Sequence, residues 1–222
     1  QPSRQIGRVA RDRIGLGHLF TDNIANDGKT VKGACRQDGT QVHLLSAFVH
    51  QQGVTIAQQE VESKTNEIPC AHTLLDPIPL EGTVVTADAM HTQKDRATFL
   101  VKDKKAEFCF TAKDNQPELR KEIELLSVIE RSPPQHQTVD KGHGRLETRR
   151  IWLSTELNDY VKFPHCRQVG CIERVRQNLK TGKISRETAY ILTSLTADKA
   201  GPEKVLAINR AHWGIENRSH YV

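Results

Sequence analysis

The chain has 222 residues, with 32 Lys and Arg against 27 Asp and Glu, a net charge of +5, and only 36% hydrophobic and 5% aromatic residues. This length suits one large domain, or a core domain with a sizeable insertion. The polar composition predicts a soluble protein: no apolar run approaches the roughly 18 residues of a membrane span, and the first residues lack the apolar stretch of a signal peptide.

The spacing of apolar residues predicts an α/β protein. β-branched and aromatic runs mark strands, and apolar residues three or four positions apart mark helices. The predicted strands cover residues 42–48, 54–61, 83–87 and 107–112. The predicted helices cover residues 66–78 and 93–104, a helix opened by Pro117, and a last helix that begins after Gly201. This order is compatible with a mixed sheet flanked by helices.

A basic, β-rich insertion is predicted before the last helix, over residues 138–196, where short alternating runs are separated by glycines. Residues 141–190 hold eleven Lys and Arg against five Asp and Glu, while the rest of the chain is close to neutral. Such a segment attracts polyanions, nucleic acid first, although a solvated basic surface without a partner is the alternative. The remaining domain boundaries place a core at residues 23–137 and 197–222, and a linker or the tail of an upstream domain at residues 1–22.

The last sixteen residues carry an unusual polar stripe. On a helix, Asn209, His212, Glu216 and His220 share one face, because they are spaced at i, i+3, i+7 and i+11. A stripe with one carboxylate is a poor way to build a core. It is a good way to deliver a metal-binding acid to a site built elsewhere.

Two further acids are placed to meet Glu216. Asp88 ends a predicted strand, the position where open α/β sheets usually carry their chemistry, and Asp27 precedes Gly28. Each acid also has an ordinary interpretation: an Asp-Gly turn, a helix cap, or an exposed acid on a helix. Mg²⁺ prefers oxygen ligands, and two such ions can clamp the reacting oxygens of a phosphoryl transfer. The three carboxylates beside a basic segment therefore predict a metal-dependent DNA transferase.

Other site classes are less well supported. A phosphate-binding loop ending in Gly28-Lys-Thr30 would need glycine at position 23, where the chain has Asn23. Cys166 and Cys171 lack the spacing of a zinc pair, and no second pair follows. A Cys or Ser nucleophile with a His base stays open, although no nucleophile-elbow pattern occurs. The five scattered cysteines favour reduced thiols in a cytosolic protein.

Seven short segments stand out in this order along the chain: DGKT at 27–30, HLLSAF at 43–48, KTNE at 64–67, TADAMHTQ at 86–93, KDNQP at 113–117, DKGHGRLETR at 140–149 and HWGIEN at 212–217. In combination they resemble the ISAs-type, or H-repeat-associated, transposases of bacterial insertion sequences, from about residue 24 onward. The resemblance implies an RNase H-like catalytic domain with a β insertion. It also implies a DDE triad of Asp27, Asp88 and Glu216 that holds Mg²⁺, or Mn²⁺.

The resemblance further implies DNA cleavage at transposon ends, followed by strand transfer into target DNA. The expected partners are transposon-end and target DNA, bound by a homodimer in the cytoplasm, at the nucleoid. The candidates for contacts to DNA phosphates are His143, Arg145, Arg149, Arg150 and His212. His212 could instead steady Glu216 or be a plain helix-face histidine. A catalytically inactive DNA-binding remnant and an RNase H-like nuclease that cleaves without joining are the alternative functions.

Two features depart from the family pattern. Residues 21–26 are polar where an apolar strand is usual, and His212 takes the place of an arginine one turn before Glu216. We also expect a form of the chain extended at both ends to bind terminal-repeat DNA more tightly, since residues 1–22 resemble a linker.

Overall fold

The computed structural model describes residues 23–61, 67–114, 116–124, 132–158 and 160–215. The predicted linker at residues 1–22 and the predicted acid Glu216 therefore lie outside the described residues. The chain divides into two compact units, one formed by residues 1–108 with 210–222 and the other by residues 109–209.

The first unit contains a mixed sheet. Its strands are β1 (Asn23–Cys35), β2 (Gln41–Val49), β3 (Val54–Val61) and β4 (Val84–Ala87), in the spatial order β3-β2-β1-β4. β1, β2 and β3 pair antiparallel, whereas β4 pairs parallel to β1. The predicted strands at residues 42–48, 54–61 and 83–87 are thereby confirmed. β1 is a long additional strand that the sequence patterns did not delimit.

The described residues of the first unit include two complete helices. Helix α1 (Glu67–Leu75) buries Ala71, Leu74 and Leu75, the three-and-four spacing that predicted it. Helix α2 (Lys94–Thr98) continues into a π-helical turn at Phe99–Asp103, so the helix predicted over residues 93–104 is present with a widened second half. A short 3₁₀ turn at Ala89–His91 connects β4 towards α2.

The second unit is built mainly from antiparallel strands. They are β5 (Glu107–Ala112, of which the last four residues belong to this unit), β6 (His136–Gly142), β7 (Arg145–Ser154), β8 (Gln168–Asn178) and β9 (Ile184–Thr193). Their order is β5-β9-β8-β7-β6, and all four pairings are antiparallel. Helix α3 (Pro117–Glu124) belongs to this unit, as do residues 202–209 of helix α4 (Pro202–His212). The β-rich character predicted for residues 138–196 is confirmed.

Each unit has its own apolar core. Fully buried side chains include Leu45, Phe48 and Leu100 in the first unit, and Phe110 and Leu192 in the second. Burying a side chain of this size contributes about 1.5–3 kcal/mol. The fold is thus mixed α/β, as predicted. No helix in the described ranges combines the length and apolar composition that a membrane span needs, and none of the five cysteines forms a disulfide.

Candidate active site

Asp27 lies inside strand β1 rather than in a turn. It pairs in register with Ser46, and Gly28 pairs with Leu45, so the strand continues through the Asp-Gly dipeptide. The glycine is needed for a close approach: a Cβ at position 28 would lie 2.5 Å from the carboxylate of Glu67. The Asp-Gly pair therefore reflects packing against α1, and the turn interpretation of Asp27 is wrong.

Asp88 directly follows β4, the strand next to the one that carries Asp27. The last register pair between the parallel strands β1 and β4 joins Asn26 to Ala87, so Asp27 and Asp88 are the next residue on each. Asp88 keeps an extended backbone (φ −63°, ψ 160°), and its carboxylate accepts a hydrogen bond from the Ala89 amide at 2.7 Å. The predicted strand-end position of Asp88 is confirmed, and the residue also caps the 3₁₀ turn.

The end of helix α4 covers the sheet face that carries both acids. Because side chains alternate along a strand, Ala25 and Asp27 share one face of β1, opposite to Asn26 and Gly28. On that face Ala25 packs with Phe48 and with Ile215, three residues beyond α4. From β4, Thr86 Oγ1 lies 3.0 Å from His212 Nδ1.

Three of the predicted site residues, Asp27, Asp88 and His212, thus lie towards the same face of the sheet of the first unit. Helix α4 ends at His212, a turn follows, and the fully buried Ile215 is the last described residue. Glu216 is the next residue in the chain and lies outside the described part.

Ion pairs surround the predicted DNA-binding arginines of strand β7. Arg149 pairs with Glu147 and, at 3.3 Å, with Asp140; Arg150 pairs with Glu173 at 2.8 Å. The side chain of Arg149 is only 15% exposed, whereas that of Arg145 is 51% exposed. Arg149 and Arg150 lie on opposite faces of the sheet, because they are consecutive in a strand.

The β6–β7 hairpin ends in a tight turn formed by His143 and Gly144. Both have a positive φ, of 50° and 71°, and both are exposed. A histidine in this conformation is uncommon and is tolerated in turns. His143 therefore stands at an exposed hairpin tip, with Arg145 just beyond it.

Behind β1 the structure contains a buried polar network to which the sequence patterns assigned no role. Its members lie on the sheet face opposite to Asp27 and are at most 4% exposed: Asn26, His43, Glu67, His91 and Arg96. Glu67 and His91 fall in two of the segments that carry the family resemblance, so the motifs contained a signal. Arg96 gave none, since a charged residue in a predicted helix is ordinarily exposed.

The electrostatics of this network keep its carboxylate ionised. Burial acts to raise the pKa of Glu67, but hydrogen bonds from His91 and His43 outweigh it, and the pKa is lowered overall. Burial lowers the pKa of His91, which favours the neutral ring, and lowers that of Arg96 to about 9. Arg96 therefore remains charged at neutral pH.

The comparison with known protein families identifies the family of the chain. A family model described as "Transposase DDE domain" matches residues 19–222. The chain belongs to the transposase DDE domain family. This confirms the resemblance to DDE transposases drawn from the seven sequence segments.

Relatives of this DDE-domain chain bear the names that the resemblance predicted. "Putative transposase YncI" of Escherichia coli O157:H7 is 31% identical over 92% of the chain and 55% of its own length. "H repeat-associated putative transposase YhhI" of Escherichia coli K12 is 28% identical over 90% of the chain and 55% of its own length. An uncharacterized protein in the dhlA 3′ region of Xanthobacter autotrophicus is 32% identical over 86% of the chain. The chain spans 55% to 65% of the length of these curated relatives.

A solved structure is also similar to this DDE-domain chain. It is a piggyBac transposase in a synaptic complex with hairpin DNA, with 14% identity and a TM-score of 0.46. The match covers 88% of the chain and 39% of the piggyBac chain. That TM-score is too low to define the fold.

The two aspartates fit the divalent cation that the family implies, as far as the described residues reach. Carboxylate oxygens are the ligands that Mg²⁺ prefers. Asp27 and Asp88 each come directly after the last register pair of the parallel strands β1 and β4. Within the described ranges no group of three or more His, Cys, Asp or Glu side chains is arranged to hold a metal. Two aspartates make a partial set, and the sequence prediction assigns the third carboxylate to Glu216.

Proposed function

We propose that the chain carries the catalytic site of a bacterial insertion-sequence transposase, which cleaves DNA at transposon ends and joins the freed ends to target DNA. The observation that carries this proposal is the parallel register of β1 and β4, whose last pair, Asn26 and Ala87, is followed by Asp27 and Asp88. Family membership supports it, because the two residues match the DDE pattern. The mixed sheet of the first unit, with its parallel β1–β4 pair, supports an RNase H-like core that continues at residues 197–222.

In this proposal Asp27, Asp88 and Glu216 hold Mg²⁺, or Mn²⁺. Bound divalent cations supply activation of the attacking oxygen and charge stabilisation at the scissile phosphate. The chain itself orients two of the carboxylates, because the amides of Gly28 and Ala89 donate hydrogen bonds to Asp27 and Asp88 at 2.8 and 2.7 Å.

His212 is the first residue that we propose to contact the DNA backbone. Thr86, two residues before Asp88, lies 3.0 Å from its Nδ1 and so fixes the ring beside the two aspartates. A histidine held in this way can contact a backbone phosphate, which positions DNA without reading its sequence. We assign it that role next to Glu216, which is four residues further along the chain.

The second set of DNA contacts is proposed for the β-rich insertion over residues 138–196. His143 and Arg145 are exposed at the β6–β7 hairpin, while Arg149 and Arg150 are held by carboxylates and would contact phosphate from those ion pairs. The partners in this proposal are transposon-end and target DNA, engaged by a homodimer at the nucleoid. Residues 1–22 then act as a linker.

Replacement of each acid by its amide tests the proposal. Asp27→Asn, Asp88→Asn and Glu216→Gln keep side-chain size but remove the charge that holds a hard cation, so each should lower Mg²⁺-dependent nicking of a terminal-repeat substrate by roughly 10³-fold or more. DNA binding should survive, and Ca²⁺ should support binding without turnover.

The matched control is Asp38→Asn, an exposed acid in the turn between β1 and β2, which should nick at the wild-type rate. Normal cleavage by Glu216→Gln would contradict the triad. Cleavage without strand transfer by the wild type would point to a nuclease. Binding to DNA with no cleavage at all would point to an inactive DNA-binding remnant.

A further inference from the structure

The buried network behind β1 connects the two segments that carry the aspartates. Asn26 immediately precedes Asp27, and His91 ends the 3₁₀ turn that Asp88 caps. The guanidinium of Arg96 reaches both: its Nη2 donates to Asn26 Oδ1 at 2.5 Å, and its Nη1 lies 2.9 Å from His91 Nδ1. One side chain of α2 therefore bridges the strand bearing Asp27 and the turn that follows Asp88.

Glu67 of α1 also contacts both segments, through His91 and through the backbone of β1 at Gly28. Its Oε2 lies 3.3 Å from His91 Nε2, its Oε1 lies 2.6 Å from His43 Nε2, and its carboxylate lies against the backbone at Gly28. Asn26 is also fixed on its other side, because its amide donates to the Ser46 carbonyl at 2.9 Å. The network thus contacts β1 on both sides of Asp27, at positions 26 and 28.

The direction of the hydrogen bonds follows from the donors. An arginine side chain has donors only, so His91 Nδ1 must accept from Arg96, and His91 Nε2–H then donates to Glu67. The ring is neutral in this arrangement. Positive Arg96 and negative Glu67 balance each other across it.

A contribution to stability alone does not explain such a network. Burying charged groups is costly, and well-packed apolar residues of similar volume would often be as stable or more so. What a hydrogen-bonded polar network adds is a preferred geometry, because each hydrogen bond is strong only over a narrow range of distances and angles. That property matters where two ligands must keep a fixed separation.

We propose that Glu67, His91 and Arg96 are positioning residues, which hold the backbone at Asp27 and Asp88 at the separation that metal-dependent catalysis needs. This inference rests on the proposed function. Its physical consequence is large, since a displacement of about 1 Å at a reacting group can cost roughly 10²-fold in rate.

Arg96→Lys is the first test, because lysine keeps the positive charge but its single amine cannot span the two acceptors that the guanidinium fork reaches. The nicking rate should fall by about 10- to 100-fold, and the Mg²⁺ concentration for half-maximal nicking should rise several-fold. DNA affinity should stay within about twofold, because the network is buried. The controls are Arg120→Lys on α3, and Ile78→Val as an apolar core change in the first unit.

A pair of variants at position 91 separates positioning from space filling. His91→Gln offers an amide oxygen to Arg96 and an amide hydrogen to Glu67, so it should keep most of the activity. His91→Leu fills similar volume without either hydrogen bond, so it should lose about as much as Arg96→Lys. A simple packing role predicts the reverse order, and that order would overturn the proposal.

Amide hydrogen exchange tests the network without DNA or metal. In Arg96→Lys, exchange should accelerate together at residues 23–28 and 88–92 and stay unchanged at residues 54–61 of β3. Unchanged exchange at the first two segments would overturn the proposal, as would a wild-type rate and metal requirement in Arg96→Lys. If the wild-type protein does not nick DNA, the proposed function fails, and the exchange result alone decides whether the network holds the two segments.

Discussion

At the scale of single residues, Gly28 is a position where the backbone of β1 packs closely against a buried side chain, that of Glu67. On one side of β1, Asp27 lies on the face that the end of α4 covers. On the other, the backbone at Gly28 meets the carboxylate of Glu67, and an added Cβ would lie 2.5 Å from it. This close approach requires glycine at position 28. In a turn, by contrast, glycine is favoured because it adopts a positive φ without steric cost.

Gly28→Ala should destabilise the protein by about 1–3 kcal/mol, because the methyl group must displace a buried, hydrogen-bonded carboxylate. Urea denaturation measures the change. The effect should shrink in the presence of Glu67→Ala, which removes the obstructing group, so the two changes should be clearly non-additive.

The matched control for that experiment lies on the same strand. A Cβ at Gly33 would meet nothing within 4 Å, so Gly33→Ala should alter stability by no more than about 0.5 kcal/mol. Equal effects of the alanines at positions 28 and 33 would mean that Glu67 does not press against β1.

At the scale of elements, strands β6 to β9 combine a high positive charge with a regular sheet. Arg149 and Arg174 are directly opposite each other in the β7–β8 register, an arrangement that is destabilising for like charges. Each is compensated by a carboxylate, Arg149 by Glu147 and Arg174 by Glu187. Carboxylates distributed over neighbouring strands thus make a basic sheet compatible with folding.

Glu147→Gln should destabilise the protein by about 1–3 kcal/mol, because Glu147 is 5% exposed and the change removes the negative charge that pairs with both Arg149 and Arg176. Burial acts to raise the pKa of Glu147, but the hydrogen bond from Arg176 and the positive charge of Arg149 outweigh it, so the pKa in the folded protein lies below the ordinary value of 4.5. The carboxylate therefore contributes its full stability above about pH 4.5, and the contribution is lost as the pH falls through the lower folded value.

Unfolding measured at pH 7 and again below pH 4 checks both parts. The wild type and Glu147→Gln should differ at pH 7 and converge in acid. Glu156→Gln, at an exposed site of the same unit, should match the wild type at pH 7. A difference between wild type and Glu147→Gln that persists in acid would contradict the ion-pair explanation.

At the scale of the whole molecule, the net charge of +5 is unevenly distributed. Residues 141–190 hold eleven Lys and Arg against five Asp and Glu, and the rest of the chain is close to neutral. Non-specific attraction would follow net charge alone. Specific phosphate contacts would depend instead on which arginine side chains are exposed. Arg145 is 51% exposed and Arg149 is 15% exposed, so specific contacts predict a larger contribution to DNA binding from Arg145. The two explanations predict different salt dependence for equal changes in charge.

Replacing Arg145, Arg149 and Arg150 together by alanine should weaken binding to all DNA sequences alike. The slope of log affinity against log salt should flatten by about 0.9 for each lost contact. Among the single variants, Arg145→Ala should have the larger effect and Arg149→Ala the smaller. The control removes the same charge from the first unit by replacing Lys102, Lys104 and Lys105 with alanine, and equal effects of the two triple variants would show that only net charge matters.

The sequence by itself determined the local elements and the family. Strands at residues 54–61 and 107–112 were predicted with the limits that β3 and β5 have, because alternating β-branched and aromatic residues are a local signal. The order of seven short segments indicated the family and supported the choice of candidate acids, since residue types at fixed spacings can be recognised without a structure.

The tertiary structure decided what lies beside what. Local preference assigns the dipeptide Asp27-Gly28 to a turn, yet pairing with β2 extends strand β1 through it. The parallel pairing of β1 with β4 ends at Asn26 and Ala87, so Asp27 and Asp88 are the next residues on the two chains. The sequence marked Glu67 and His91 only as members of two of the seven segments and gave no signal for Arg96, and for none of the three did it indicate a buried side chain. A charged side chain stays buried only where distant elements supply its partners, and those partners meet only when the chain is folded.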